Sequence, residues 1–145
     1  MLIKIVKKDD EYYTSDKLID DLNKNPQVDE CGAIYTFTGF VRGKEEGKII
    51  TKLTLSTPDT QKAEKEMKEI AESVKIKHNI KQVNIIHYIG EFYTGDPLFQ
   101  VAVLGGHRQE SVKALSEVIE RVKHEIDFKK EIETDDGIEV ILAGG

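Results

Sequence analysis

The sequence has no tryptophan, one cysteine, and prolines only at positions 26, 58 and 97 of its 145 residues. A single Cys31 cannot form an internal disulfide, and no Cys/His set has the spacing of a structural zinc site. His78, His87, His107 and His124 are scattered along the chain and read as structural histidines rather than metal ligands. No apolar run approaches the roughly 18 residues of a membrane span. The opening Met1-Leu2-Ile3-Lys4-Ile5-Val6-Lys7-Lys8 is too short in its apolar part for a secretory signal. Positive charge is scarce too: 21 Lys and Arg face 27 Asp and Glu, for a net −6. That balance argues against binding a long phosphate backbone, yet leaves room for a small anion, which needs only a local cluster of cations. The expectation is a reduced, cytoplasmic, metal-free protein without nucleic-acid or membrane partners.

Hydrophobic residues at 39% and charged residues at 33% suit a globular protein with a solvated surface, and the length suits one domain over 1–145. Residues 2–6 read as a short strand, and Ser15 as the cap of a helix ending near Asn23. Cys31 to Phe40 reads as a buried strand. A loop from Gly43 to Lys48 leads to a strand over Ile49–Ser56. Thr57-Pro58 reads as a helix start, with Pro at the first helical position. Ala63, Met67, Ile70, Ala71 and Val74 then recur at helical spacing. Strands are expected over Val83–Ile89 and Pro97–Leu104, and a second main helix near His107, with Val112, Leu115, Val118, Ile119 and Val122 facing the core. Phe128–Thr134 and Ile138–Leu142 flank the Asp135-Asp136-Gly137 turn of a hairpin. The fold class is α+β, with a mostly antiparallel or mixed sheet and two main helices.

Five cations stand out. His107 and Arg108 follow Gly105-Gly106 at a strand-to-helix junction, where free N–H groups attract anions. Lys123 falls four residues after Ile119 and so borders the apolar stripe of its helix, although a lysine there can also snorkel to water. Alternation puts Phe128, Lys130 and Ile132 on one strand face and Lys129, Glu131 and Glu133 on the other. Lys130 thus occupies a position where an apolar residue is expected. Partial burial and a second lysine nearby would depress its pKa and leave an amine able to move protons near neutral pH; the plain alternative is an edge lysine that protects the sheet. Arg42 ends a strand beside a loop, well placed to hold phosphate with its planar fork. Gathered together, Arg42, His107, Arg108, Lys123 and Lys130 would form a cationic pocket for a phosphate ester. Cys31 reads as a small core residue, and Gly144-Gly145 as frayed terminal glycines rather than a sulfur-carrying terminus.

These residues also carry a family resemblance. Thr36-Phe37-Thr38-Gly39-x-Val41-Arg42 resembles a segment of the molybdopterin synthase catalytic (large) subunit family. Val83-x-Ile85-x-His87-x-Ile89-Gly90-Glu91 is similar to its second strand motif, with Gly95-Asp96 following. His107-Arg108, Lys123 and Lys130-Glu131 match in order and spacing, from about Gly32 to Ile138. The resemblance implies an α/β-hammerhead-like fold and a homodimer that binds a small β-grasp sulfur-carrier subunit at each outer end. It implies no resident cofactor. The implied reaction moves sulfur from the carrier's C-terminal Gly-Gly thiocarboxylate to cyclic pyranopterin monophosphate, giving the dithiolene of molybdopterin. By carry-over Lys123 and Lys130 are the catalytic residues, while Phe40, Val41, Arg42, His107, Arg108, Glu131 and Ile132 bind substrate, with one group crossing from the dimer mate and Phe40 and Val41 contributing through their backbone. The chain departs from the family pattern at Tyr88, where arginine is usual, and at Phe40, where lysine is common. It departs also at Asp127-Phe128-Lys129, which replaces a proline-aromatic-tryptophan run, and at Ser56-Thr57-Pro58. The alternatives are a paralogue that binds a phosphorylated pterin or nucleotide without turning it over, and a scaffold that only docks a carrier. Two semi-buried lysines favour the enzyme.

Overall fold

The computed structural model describes residues 1–142; Gly144-Gly145 lies outside them. The chain runs β1 (Ile3–Lys7), α1 (Ser15–Asn23), a 3-10 turn (Val28–Glu30), β2 (Ala33–Phe40), β3 (Lys44–Glu45), β4 (Lys48–Ser56), α2 (Thr60–His78), β5 (Gln82–Phe92), β6 (Pro97–Gly105), α3 (Arg108–Glu125), β7 (Lys129–Thr134) and β8 (Gly137–Ile141). The strands follow the order β2-β6-β5-β4-β7-β8, with β1 beside β5 and β3 beside β4. Among the described residues the β1–β5 pairing is parallel and the others are antiparallel, so the sheet is mixed but mostly antiparallel, as its composition and turns suggest.

The long strand β5 organises the molecule. Its residues Gln82–His87 pair with β6, whereas Gly90–Phe92 pair with β4. The change of partner falls at Gly90, whose φ of 131° is unfavourable for a residue bearing Cβ. One strand thereby serves two halves of a bent sheet. Helix α3 packs on β2 and β6, helix α2 on β1 and β5, and the two helices on each other. Among the described residues no helix is long and apolar enough to cross a membrane.

Periodicity locates the helices well and their ends less well. All five expected apolar positions of α2 are buried. Its start is later than expected: Pro58 precedes the cap, and the Asp59 carboxylate accepts from the Lys62 N–H at 3.1 Å. Thr14, rather than Ser15, caps α1 through its hydroxyl, which accepts from Lys17 N–H at 3.2 Å. In α3 the buried stripe is Ser111, Ala114, Val118 and Val122, while Val112 is 44% exposed. Small Ser111 and Ala114 let the helix sit close to the sheet, rotating Val112 outward. Strand β2 is half-buried rather than buried, because it forms the end of the sheet and only one face meets α3 and α1. The loop after Arg42 contains the two-residue strand β3, which pairs with β4 through a tight turn at Glu46-Gly47.

Tyr88 shows which departures from the family pattern touch the core. Its side chain is buried, and its hydroxyl accepts from Tyr13 N–H at 2.9 Å while lying 3.3 Å from Gln100 Oε1. It ties the segment before α1 to the sheet. Tyr88→Phe would orphan a buried N–H, which typically costs about 1–3 kcal/mol. Denaturant unfolding should show that loss.

Candidate active site

A half-open cavity of about 260 Å³ lies where the C-terminal end of α3 meets the bend of the sheet. Its floor and walls are mainly apolar: Phe37 and Phe40 from β2, Phe99 from β6, Leu55 from β4, Phe128, and Ile141 from β8. Two ammonium groups enter this surface. Lys123 comes from the last turn of α3, one turn beyond Ile119, which also lines the cavity. A cation at a helix C-terminus is favoured by the helix dipole. Lys130 comes from β7, flanked in register by Leu55 and Ile141.

Strand alternation explains why Lys130 and not Lys129 faces inward. Phe128 and Ile132 are buried on the side of Lys130. Lys129 is exposed and pairs with Glu131 at 3.0 Å. Burial pushes the Lys130 ammonium below its usual range, and the charges of Lys123 and Arg42 push the same way, with Glu45 opposing them. The cavity thus holds an amine that gives up its proton more readily than a surface lysine.

His87 completes the inner wall and was not singled out by sequence reasoning, which placed it among structural histidines. Its ring stacks on Phe128 with centroids 4.1 Å apart and lies 4.9 Å from the Phe99 ring. Nδ1 sits 3.1 Å from the Tyr88 carbonyl oxygen, which can only accept, so Nδ1 carries the proton and donates. Burial drives its pKa down to about 4, with the Lys130 charge acting in the same sense and the bond to Tyr88 opposing. The imidazole is therefore neutral at physiological pH and leaves Nε2 as a bare acceptor. Tyr88, next in the strand, points to the other face, so the change from arginine there does not touch this cavity.

The other expected site residues fall in three places. Phe40 lines the cavity with its ring 62% exposed. Arg42 stands nearby, and its guanidinium donates to Glu45 Oε1 at 2.5 Å. Val41 is buried, and its N–H donates to Asp96 O at 3.0 Å while its carbonyl accepts from Gly95 N–H at 2.9 Å. Its N–H is thus already committed, so it anchors the strand end rather than offering a donor to a ligand. Glu131 and Ile132 do not line the cavity. The Glu131 carboxylate pairs with Lys129, and Ile132 borders a smaller hollow of about 120 Å³ beside Glu45 and Ile50.

His107 and Arg108 do not join the pocket within one chain. His107 caps α3 and Arg108 is its first residue, whereas Lys123 lies in its last turn. Fifteen residues of helix separate Arg108 from Lys123, roughly 22 Å along the axis. The expected cluster of five cations is therefore two groups at opposite ends of one rod. His107 is held by its own neighbours: its carbonyl accepts from Ser111 Oγ at 2.6 Å and its Nδ1 lies 3.6 Å from Glu110. Gly105 has no room for Cβ because Ser111 Oγ occupies that space. Among the described residues no three His, Cys, Asp or Glu side chains gather where they could hold a metal ion.

An α+β chain with a half-buried lysine in an apolar cavity, an exposed lysine lining it and an arginine nearby defines an enzyme-like site for an anionic ligand with a flat or apolar part. Comparison with known proteins gives the site its family. The model of the MoaE protein family matches residues 10–125, and the chain belongs to that family, the molybdopterin synthase catalytic subunits. It is 33% identical over 109 residues to the molybdopterin synthase catalytic subunit of Escherichia coli strain K12, covering 75% of this chain and 72% of that protein. It is 33% identical over 127 residues to a probable molybdopterin synthase of Haloferax volcanii, covering 86% of this chain but only 49% of that protein. The chain thus spans about half the length of the archaeal relative. The crystal structure of molybdopterin synthase from Staphylococcus aureus superposes with a TM-score of 0.82 at 25% identity, covering 96% of each chain.

Proposed function

We propose that this chain is a sulfurtransferase: it moves sulfur from the C-terminal Gly-Gly thiocarboxylate of a small β-grasp carrier to cyclic pyranopterin monophosphate. The observation that carries this reading is the presence of Lys123 and Lys130 in one apolar cavity, on a chain of the MoaE family. A binding module needs positive charge but has no use for a partly desolvated amine. Phe40, Phe99 and Phe128 offer flat apolar surface to a ring system, while Arg42 supplies a fork for the phosphate. Lys130, whose proton is loosely held, serves proton transfer as the sulfur attacks and the cyclic phosphate opens. Lys123 stabilises the negative charge that develops beside it. Val41 fixes the strand end that carries Phe40 and Arg42, and Glu131 and Ile132 hold the register that aims Lys130.

His107 and Arg108 lie too far from Lys123 to act on the same substrate in one chain. In this reading the protein is a homodimer, and the pair enters the site of the dimer mate. The open side of the cavity admits the carrier's extended Gly-Gly terminus, where small residues let the thiocarboxylate approach the lysines. The test is an assay of purified protein with thiocarboxylated carrier and cyclic pyranopterin monophosphate. Dithiolene formation is the expected result. Tight binding of the cyclic monophosphate without any sulfur incorporation would replace this reading with the binding-module one.

A further inference from the structure

The pairing of Arg42 leaves an anion of the chain's own sitting where a phosphate is expected. Arg42 and Glu45 flank the start of the β3–β4 hairpin, and Glu45 Oε1 accepts from Arg42 Nη1 at 2.5 Å. The hairpin holds the carboxylate in place. Glu45 pairs in register with Lys48 across a two-residue turn, in which Glu46 (φ 50°) and Gly47 (φ 77°) both take left-handed backbone. Positive φ at both central positions is the turn type that suits the twist of a tight hairpin. Glu45 also borders the smaller hollow, which shares Ile141 with the lysine cavity. The carboxylate is close enough to Lys130 to act on its ionisation, as is Arg42.

We infer that Glu45 is a built-in competitor for the substrate's phosphate: it occupies Arg42 in the empty site and must be displaced when an anion binds. The inference rests on the assignment of Arg42 as a phosphate ligand and deepens it. Arg42 and Glu45 are 70% and 45% exposed at their side chains, so the bond is solvent-screened and can be exchanged. A weakly bound monoanion gains little by replacing a carboxylate already in place. A phosphate ester that also engages Lys123 and Lys130 gains two further cations for the same displacement. Displacing Glu45 costs every anion that uses Arg42 the same, so the ratio of affinities is unchanged. The cost drops a weakly held stray anion below occupancy while the substrate, held also by Lys123 and Lys130, still binds.

The experiment measures binding of inorganic phosphate to the purified full chain by calorimetry, for wild type, Glu45→Gln, Glu46→Gln and Glu45→Gln combined with Arg42→Ala. Glu45→Gln is expected to tighten phosphate binding by roughly 2- to 5-fold, the range of an exposed ion pair, with the gain shrinking at high salt. Glu46→Gln removes the same charge one residue away and should leave phosphate affinity unchanged. The double variant should lose the gain, because the freed ligand is Arg42. An unchanged or weaker affinity in Glu45→Gln, or an equal gain in Glu46→Gln, overturns the inference. Sulfur transfer is scored separately on the wild type. Turnover without the Glu45 effect sinks this inference alone, and the Glu45 effect without turnover sinks the enzyme reading alone.

Discussion

Replacing Lys130 with alanine is expected to lower turnover by about a hundredfold or more, the usual scale for a positioned acid or base. Lys129→Ala, one residue away, should stay within a few fold of wild type. The two ammonium groups have opposite surroundings. Lys130 is half-buried between Leu55 and Ile141, faces Lys123, and has its proton affinity lowered chiefly by burial. Lys129 is exposed and bonded to Glu131. Lys123→Ala should fall nearer to Lys130→Ala, since it removes the second cation of the same cavity. Stability should not account for the loss. A lysine whose folded-state pKa lies below its unfolded value works against folding at every pH where it is still charged in the folded chain, so its removal relieves the fold. Rates must be compared at saturating carrier, with thermal unfolding measured alongside, so that docking and folding are separated from chemistry. Equal damage from Lys129→Ala would remove the basis for assigning Lys130 to the reaction.

The features legible in the sequence are those that depend on local period. Alternation alone put Lys130 beside Phe128 and Ile132, and the structure has them on one face. The helical period found the buried face of α2 in full. Lys123 does reach the cavity beside Ile119, but its side chain is exposed, so of the two lysines expected to be semi-buried only Lys130 is; Val112, the other reference for Lys123, faces solvent. His87 was hidden for a different reason. Strand β5 is buried on both faces from Gln82 to Tyr88, so no alternation marks which of its side chains reaches a cavity. The stack on Phe99 and Phe128 joins three segments distant in sequence, and nothing local announces it. The Arg42–Glu45 bond depends on a turn at Glu46-Gly47 that brings a two-residue strand back onto β4. The cationic pocket read from five residues ignored a length that the sequence does contain. Eighteen residues of helix make a rod of roughly 27 Å, and His107 and Lys123 stand near its two ends.

That rod length leads to a test of how the site is assembled. Arg108→Ala and Lys130→Ala should each be severely impaired when pure, yet a one-to-one mixture allowed to exchange subunits should recover about a quarter of wild-type activity. The fraction follows from two-fold symmetry. Random exchange makes about half of the dimers mixed. In a mixed dimer the chain that keeps Lys130 receives an intact Arg108 from its mate, giving one whole site. The other site lacks both groups. One intact site in half of the dimers is about one site in four over the mixture. If Arg108 instead served the cavity of its own chain, every site would lack one group or the other, and mixing would restore nothing. The roughly 22 Å between Arg108 and Lys123 on one helix favours the first outcome. Light scattering on the same samples supplies the second condition, since a strict monomer mass at micromolar concentration leaves no mate to lend the group. A mixture as inactive as its two components, in samples shown to be dimeric and exchanged, would assign Arg108 to the cavity of its own chain and overturn the shared site, whereas pure Arg108→Ala as active as wild type would leave Arg108 outside the reaction.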